Sequence, residues 1–563
     1  MTQRGQTMKL LSKIGLGVLF IYIISVGYAF GQGQINVQNG NINHFYQDFL
    51  IPGHGYALTL ERSFNSLSKY NGKFGRKWGS NFDIDFNITP EGTVEITEFG
   101  GGFKTTFSRE GYSQQDVEKF MEKVYSALPP ASRTEKLKQS LKKDVKLRHK
   151  LASDYKVSVV VADGAKLFAN DRGPETLEKI KIEKANAPQW VRTFSDGKKE
   201  FFNRQGWLVR REDTNRNFLK LDYDANGNLT KVTDTAGRQI NFTYYPNRKV
   251  ATVTTPTGKQ CIYKYDKEGR LISAKNARGY EFKHEYDSNH QMTKVSYPNG
   301  LAESMKYDGE GKTVYHDGPE DIRTRYSYDT KGDPNRFFFV TVTKEIGKKP
   351  NHITTVDKYE YEFGLRENGT LYTHKLASVL EGVRTETIYT PCCGKPISIN
   401  QNGKITRFDY LPNGALKKKV SPNGTMIALT YDEKFNKVAK VETSDPKLKR
   451  TEITEYKYDQ KGNLAFATNK SKKIAIQLVY DTKGRIQKLV DQGGKTIQFN
   501  YNELGKPTKI SLDGLGSIIV SYNAAGEITD VRSTGGRKIA GEVTNAFQTL
   551  LDIIRPAGVS LNI

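Results

Sequence analysis

A tyrosine-containing motif recurs along the chain from about residue 200 and constrains the fold more than any other sequence feature. Its clearest copies read YDANGNL, YDKEGRL, YDQKGNL and YDTKGRI, and they begin at Tyr223, Tyr265, Tyr458 and Tyr480. Looser copies begin at Tyr286, Tyr307, Tyr328, Tyr410, Tyr431, Tyr501 and Tyr522. Many neighbouring motif tyrosines are 21 residues apart. A fixed period of this length predicts a repeat architecture.

Each repeat has the pattern of two strands and two turns. In YDxxG the aspartate carboxylate can accept a hydrogen bond from the backbone N–H two residues on, and the glycine supplies a positive φ. A second glycine precedes the next tyrosine by seven residues, as Gly237 precedes Tyr244. Apolar and polar residues then alternate up to that tyrosine, which is typical of a half-buried strand. After the motif the apolar spacing is often three residues, as from Leu229 to Val232, which predicts a bulge or a strong twist.

This pattern predicts one β-hairpin per repeat. A lone hairpin is only marginally stable in water, but adjacent hairpins pair their backbone edges and align their aromatic side chains. Cross-strand aromatic pairs contribute about 0.2–1 kcal/mol each. We therefore predict a mainly β fold, in which antiparallel hairpin repeats form a spiralling sheet. Its helices are predicted to be an inserted helical hairpin and a short C-terminal helix.

The repeats, over roughly residues 194–531, resemble those of the RHS/YD-repeat family, which carry the same YDxxG(N/R)L pattern. Residues 35–107 resemble the module that precedes the repeats in such proteins, through DFLIPG (48–53), LERSFNS (60–66) and FGRKW (74–78). The resemblance implies a spiralling sheet, which is often a hollow shell in this family and in many members encloses a toxin or other C-terminal cargo; either an open spiral or a small shell fits this chain. Many members also carry an autoproteolytic aspartate motif, to which this sequence has no match.

The first 31 residues have the composition of a signal peptide. Arg4, Lys9 and Lys13 form a basic start, residues 14–30 are uncharged and mostly apolar, and the small residues at 29 and 31 favour cleavage after Gly31. We therefore expect a secreted, periplasmic or cell-surface protein that contacts the membrane only through this segment. An uncleaved membrane anchor is the alternative.

Helical spacing of apolar residues interrupts the β pattern twice. The first interruption predicts two helices separated by a pair of prolines. The first helix is indicated by Val117, Phe120, Met121, Val124, Tyr125 and Leu128, and the second by Leu137, Leu141 and Val145. The basic residues around the second helix, Arg148 among them, form either a solvated face or a docking element for an acidic partner. The second interruption is an amphipathic helix, ended by Pro556, which we expect to cap the last repeats through Val543, Phe547, Leu550 and Ile554.

The chain is accordingly divided into six segments. They are a signal peptide (1–31), an N-terminal β module of RHS type (32–112), a helical insertion (113–155), a connecting β segment (156–193), the YD-repeat array (194–535), and a C-terminal capping helix and tail (536–563).

The sequence predicts no catalytic, cofactor-binding or metal-binding residues, so the chain is not expected to be an enzyme. Residues 493–496 (GGKT) resemble part of a phosphate-binding loop, but they fall at a repeat turn and lack the required earlier glycine. Residues 83–87 and 224–228 alternate Asp and Asn as calcium ligands do, but they fit a strand and a turn better. The eight histidines lack the spacing of metal ligands.

The three cysteines have two different settings. Cys261 stands four residues before Tyr265, where other repeats have an apolar residue, so it is predicted to lie in the core. Cys392 and Cys393 fall in the turn after Tyr389. In an exported protein such a pair forms either a rigid turn or a strained, reducible disulfide, with metal binding or redox sensing as further alternatives.

The formal net charge of +24 and the pI of about 9.5 are spread over the whole chain. A basic surface attracts polyanions, although it also simply keeps a protein soluble. Our first hypothesis is a secreted or cell-envelope, non-catalytic scaffold that encloses, displays or binds a partner protein, such as a toxin or a second repeat protein. The alternative is a surface adhesin that binds acidic glycans or other polyanions. Neither a cofactor nor a specific nucleic-acid partner is expected.

Overall fold

The computed structural model describes residues 33–554, except 54, 170–174, 182–187, 320, 331, 349–350, 367–369, 392–393 and 524–527. The predicted signal segment, the Cys392-Cys393 pair and Pro556 therefore lie outside the described residues. Within the described part, no helix combines the length and the apolar character that crossing a membrane requires.

The described residues form 42 strands and four α-helices. The first nine strands are β1 (Gln34–Asn36), β2 (Asn41–Ile51), β3 (Leu58–Asn65), β4 (Asn71–Gly72), β5 (Gly75–Arg76), β6 (Trp78–Ser80), β7 (Ile84–Ile88), β8 (Val94–Glu98) and β9 (Phe103–Arg109). The helices are α1 (Gln114–Ala127), α2 (Glu135–Lys143), α3 (Val145–Asp154) and α4 (Gly536–Ile554), and a 3₁₀ turn covers Pro130–Ser132.

The remaining strands follow one another closely along the chain. Those before the middle of the sheet are β10 (Lys166–Ala169), β11 (Thr176–Lys179), β12 (Trp190–Thr193), β13 (Lys199–Phe202), β14 (Leu208–Glu212), β15 (Phe218–Tyr223), β16 (Leu229–Asp234), β17 (Gln239–Tyr244), β18 (Val250–Thr254), β19 (Gln260–Tyr265), β20 (Leu271–Lys275), β21 (Glu281–Tyr286), β22 (Met292–Ser296), β23 (Ala302–Tyr307), β24 (Thr313–Gly318), β25 (Ile322–Asp329) and β26 (Phe337–Ile346). Those after it are β27 (Ile353–Leu365), β28 (Leu371–Leu380), β29 (Val383–Tyr389), β30 (Pro396–Gln401), β31 (Lys404–Tyr410), β32 (Leu416–Val420), β33 (Met426–Tyr431), β34 (Val438–Asp445), β35 (Arg450–Tyr458), β36 (Leu464–Asn469), β37 (Ile474–Tyr480), β38 (Ile486–Asp491), β39 (Thr496–Tyr501), β40 (Pro507–Leu512), β41 (Gly516–Tyr522) and β42 (Ile528–Ser533).

The motif turns form as the sequence predicts. The Oδ1 atom of Asp224 accepts hydrogen bonds from the backbone N–H groups of Asn226 and Asn228, both at 2.9 Å. Gly227 has a φ of 74° in the same turn. His290 replaces the glycine of one motif and still adopts a φ of 60°, so the turn geometry is kept even where the side chain disfavours it.

The predicted bulge follows each of these turns. Tyr223 lies opposite Leu229, but Asp222 lies opposite Lys231, so Thr230 is an extra residue in β16. The same register shift occurs at the motif tyrosines from Tyr244 to Tyr307. This extra residue explains why the apolar spacing after the motif is three instead of two.

The hydroxyl groups of the motif tyrosines connect successive repeats. Most of them donate a hydrogen bond to the backbone carbonyl 15 residues earlier, at the start of the strand that follows the previous motif. This bond is made by Tyr223, Tyr244, Tyr286, Tyr307, Tyr328, Tyr431, Tyr501 and Tyr522, over 2.6 to 2.9 Å. Because a buried hydroxyl without a partner is costly, these bonds hold the aromatic rings at fixed positions along the sheet.

Strands β7 to β42 form one antiparallel sheet of 36 strands in chain order, which confirms the mainly β hairpin-repeat fold. The sheet winds until distant turns meet. The side-chain amide of Asn215 donates to Oδ1 of Asn463, 248 residues later, at 3.0 Å. The amide of Asn217 donates to the carbonyl of Lys483 at 2.9 Å. The sheet begins earlier than the predicted repeat array, because β7–β9 of the N-terminal module already belong to it.

The remaining N-terminal residues form a separate unit, which we call the plug (residues 33–82). Strands β1, β2, β3 and β6 form its four-stranded sheet, and β4 and β5 form a small hairpin. Its apolar side chains share one continuous core with those of the long sheet from about residue 167 to 305. The plug therefore fills the concave side of the earlier repeats.

The helical insertion differs from the prediction in one respect. A single second helix was expected to run through Val145, but α2 and α3 meet at Asp144, whose side chain accepts a hydrogen bond from the N–H of Leu147 at 3.0 Å. An aspartate in this position caps a new helix. Arg148, expected on the basic face, is 1% exposed and donates to Glu91 at 2.5 Å. It therefore anchors the insertion to the sheet.

The contact between distant turns leads to a prediction about two glycines. Gly237 and Gly484 have φ values of 79° and 78°. An added Cβ would meet nothing within 4 Å at Gly237, but it would lie 2.2 Å from the Asn215 amide at Gly484. Gly237→Ala should lower stability by about 1 kcal/mol through backbone strain alone. Gly484→Ala should lower it further, because Asn215 must also leave Asn463. Thermal melts measure both, and equal shifts would contradict the contact between windings.

Candidate functional site

The inner face of the long sheet is the face from which the motif tyrosines project. Residues that lie directly opposite each other in neighbouring strands project from the same face, so the strand register traces this surface across the sheet. Three parts of the inner face differ in what covers them. The plug covers the first part, helix α4 covers the last part, and the part between them is open.

Arg62 lies at the centre of the contact between the plug and the sheet. Its guanidinium is fully buried and donates to both carboxylate oxygens of Asp48, at 2.5 and 2.9 Å. The rings of Tyr46, Trp78 and Tyr263 surround it, with centroids 5.3, 5.2 and 5.1 Å away. Tyr263 of β19 also donates its hydroxyl to Asp48 at 2.7 Å. The ion pair within the plug is thus completed by a repeat tyrosine.

Glu303 is a carboxylate at a core position of the repeat. It stands four residues before Tyr307, where other repeats carry an apolar residue, and it is 1% exposed. Its Oε1 atom accepts the hydroxyl of Tyr297 at 2.7 Å and lies 3.0 Å from Nδ1 of His44. Its Oε2 atom lies 2.9 Å from Nε2 of His316. One carboxylate thereby joins β2 of the plug to β23 and β24 of the sheet.

The electrostatic environment keeps Glu303 ionised. Burial by itself would raise the pKa of this carboxyl group, but attraction to His44 and the hydrogen bond with His316 outweigh burial and hold the pKa well below its usual range. His284 is different, because burial first and the nearby Arg62 second keep its pKa far below the usual value. It is therefore a neutral ring, 5.0 Å from the ring of Trp78.

Backbone hydrogen bonds fix the position of the plug along the sheet. Three carbonyl groups of the plug accept N–H groups of the repeats: Gly40 from Thr313 at 2.8 Å, Asp48 from Ala277 at 3.2 Å, and Lys73 from Val250 at 2.9 Å. Tyr265 takes part in the same contact. Its hydroxyl lies 3.5 Å from the Lys73 carbonyl of the plug instead of bonding to a carbonyl of the preceding repeat.

Helix α4 covers the last part of the inner face. It crosses the strands, because Glu542 near its start pairs with Lys495 before β39, and the Ile553 carbonyl near its end accepts the hydroxyl of Tyr456 in β35 at 2.6 Å. The predicted apolar positions Val543, Phe547 and Leu550 are buried, together with Ile539 and Ile553. Ile553 is more fully buried than the predicted Ile554.

The open stretch is the inner face of β28–β32. At its first strand, Gln38 of the plug donates to the hydroxyl of Thr373 at 2.9 Å, and Leu376 packs against a small cluster that Val37 also contacts. At its last strand, Leu416 packs against the core under α4. Between these edges, no described residue of the plug or of α4 shares a core cluster with the inner face of β29–β31. Tyr361 of β27 lies opposite Leu376, Leu376 opposite Thr387, and Thr387 opposite Ile399. The last three side chains are only half-buried. Leu371, at an inner-face position of β28, is 43% exposed, whereas core residues of the covered parts are almost fully buried. This surface is therefore accessible.

The residues that the sequence singled out for chemistry serve turns or the core. Lys495 of the GGKT stretch donates its backbone N–H to Asp491 at 2.9 Å, as in the other repeat turns. Asp83 lies just before β7 and accepts the hydroxyl of Tyr70 and the N–H of Ser80, at 2.9 and 2.8 Å. Cys261 is fully buried, as predicted.

Substitution of Glu303 tests the contact between the plug and the sheet. Glu303→Gln keeps the shape but replaces the charged acceptor shared by Tyr297 and two histidines with a neutral amide, so stability at neutral pH should fall by about 1–3 kcal/mol. Because the folded-state pKa of Glu303 is depressed, its contribution is present above the unfolded-state pKa of about 4.3 and is lost as the pH falls below it. The variant should therefore lose less stability than the wild type below that pH.

Denaturant unfolding between neutral and acidic pH measures this difference. Glu285→Gln is the matched control, since Glu285 projects outward next to Tyr286 and is exposed. If both variants unfold alike at every pH, Glu303 does not hold the plug.

Three family models match the sequence. A domain of unknown function (DUF6531) matches residues 32–107, the RHS Repeat matches residues 202–239, 223–260 and 265–302, and the Teneurin YD-shell matches residues 341–512. No curated protein matches the chain. Arg62 and Asp48, which form the buried ion pair, both lie within the first of these matches.

Solved structures with similarity to the chain include TcdB2-TccC3 without its hypervariable C-terminal region and TcdB2-TccC3-Cdc42. The first has a TM-score of 0.43 at 10% identity and the second 0.44 at 11%. The similarity covers 90% and 93% of this chain but only 28% and 30% of theirs, so the chain spans less than a third of either. With its motif turns, its hairpin-repeat sheet and its family matches taken together, the chain belongs to the RHS/YD-repeat family.

Proposed function

We propose that this YD-repeat scaffold is exported and holds a partner protein, without catalysis, against the open stretch of its inner face. The observation that carries the proposal is the position of this stretch between two covered parts. The plug and α4 bury the inner face on either side with side chains of the same chain. The open stretch has the same strands and motif tyrosines but remains accessible.

The composition of the open stretch supports binding of a protein. Leu376 and Ile399 are half-buried, and Leu380 and Val383 at the next turn are 39% and 36% exposed. Aliphatic side chains that stay accessible on a face whose other parts are covered are typical of an interaction site. A toxin or a second repeat protein is a suitable partner, because either could present an extended chain to the sheet.

Two further observations support the rest of the proposal. The predicted signal peptide would deliver the scaffold to the cell envelope or the exterior, where such a partner would be secreted as well. Residues with catalytic or metal-binding spacing are engaged in turns, as Asp224 and Lys495 show. The described residues thus offer a holding surface.

Photo-crosslinking can test the proposal in cells that produce the protein. A photoreactive amino acid is placed at Thr387, on the inner face of β29, and in a matched variant at its neighbour Glu386, on the outer face. The Thr387 variant should give a discrete adduct with one partner protein, and the Glu386 variant should not. Equal adducts from both positions, or none from Thr387, would contradict the proposal.

A further inference from the structure

We infer that the open stretch receives an acidic, extended polypeptide segment, whose carboxylates pair with Lys404 and Lys419. The inference rests on the proposed function, since it names the chemistry of the partner at the same surface. It follows from the places where this part of the sheet departs from the repeat pattern.

Lys419 occupies a core position of its repeat. It lies opposite Phe408 of β31 and opposite Ile427 of β33, which is 3% exposed, so it projects from the inner face. It stands nine residues after Tyr410, a position that Val232 fills after Tyr223. An apolar core position thus carries a cation, which is unfavourable unless an anion or water accompanies it.

A polar row crosses the same strands. Ser378 lies opposite Thr385, Thr385 opposite Gln401, and Gln401 opposite Lys404. Each of these residues shares the inner face with the motif tyrosines. If an apolar cover lay on this row, its hydroxyl, amide and ammonium groups would lose water without gaining hydrogen bonds. An occupant must therefore supply polar groups of its own.

The sign of the charge on this surface is uniform. The acidic residues of β28–β32 are Glu386 and Asp409. Both project outward, since they lie opposite Ala377 and Lys418 respectively and adjoin inner-face residues. Lys404 and Lys419 form no ion pair with any other described residue. The inner face of these strands is thus positive, and its complement is a chain that carries carboxylates.

The aliphatic residues of the same surface favour a polypeptide over a glycan. Leu376 and Ile399 lie in the row beside the polar one, so apolar and polar contacts alternate across the strands. An extended peptide whose side chains alternate between acidic and aliphatic residues matches both rows, and its backbone can bond to the threonine hydroxyls. Five strands at about 4.8 Å spacing span about 20 Å, the length of roughly six extended residues.

Fluorescence anisotropy of the full chain with two short labelled peptides tests the inference. One peptide alternates glutamate with leucine, and the other alternates lysine with leucine. The glutamate peptide should bind more tightly. The double variant Lys404→Gln with Lys419→Gln should weaken its binding by about tenfold, as expected for the loss of two opposite-charge contacts. Replacing both lysines by arginine should preserve binding, and this result would show that the site tolerates substitution at both positions and still folds.

Arg407→Gln with Lys418→Gln is the matched control, because it removes the same charge from the outer face of the same two strands. The control should bind the glutamate peptide as the wild type does. Equal weakening by both double variants, or a preference for the lysine peptide, would overturn the inference.

Tight binding of a heparin fragment that depends on Lys404 and Lys419, without binding of either peptide, would identify the occupant as an acidic glycan instead of a polypeptide. A Thr387 adduct that persists unchanged in the glutamine variant would leave the partner-holding function intact but overturn the acidic chemistry.

Discussion

The hydroxyl of a motif tyrosine donates to a carbonyl of the preceding repeat, and the rest of the structure depends on this bond. It recurs at most motif tyrosines from Tyr223 to Tyr522 and links their hairpins to the preceding ones by a side chain as well as by strand pairing. Because alternate residues of a strand project to the same face, the rings that these bonds hold in place line the inner face along the sheet. At Tyr265 the plug replaces the preceding repeat as the acceptor, since this hydroxyl approaches the Lys73 carbonyl of the plug.

The hairpin repeats are alike, but the element that covers their inner face differs along the sheet. Where the plug covers it, the repeats supply specific partners in place of generic apolar residues, such as Glu303 for His44. Where α4 covers it, the repeats keep to the apolar pattern, because a helix with one apolar face needs no polar partner. Where threonine, glutamine and lysine replace the apolar residues, the described part of the plug and of α4 forms no core over them. The residues that depart from the repeat pattern therefore differ according to whether the plug, α4 or neither covers the inner face.

Local features could be predicted from the sequence because their causes are local. The Asp224 turn, the bulge at Thr230 and the burial of Cys261 follow from residues a few positions apart. The break at Asp144 was missed, because one capping residue interrupts an otherwise continuous helical pattern. Contacts over long distances, such as Asn215 with Asn463, leave no signal in a single sequence. Glu303 was missed although a signal existed, since it breaks the apolar rule four residues before Tyr307.

Thiol reactivity along the inner face tests most directly whether the sheet is covered at both ends and open between them. Cys261 reports on the face under the plug, Ala467→Cys on the face under α4, and Thr387→Cys on the open stretch, in a background where Cys392 and Cys393 are serine. In the native protein the thiol at position 387 should react rapidly with a maleimide, while the other two should react only after unfolding. Protection at position 387, or equally rapid reaction at all three positions, would contradict the account.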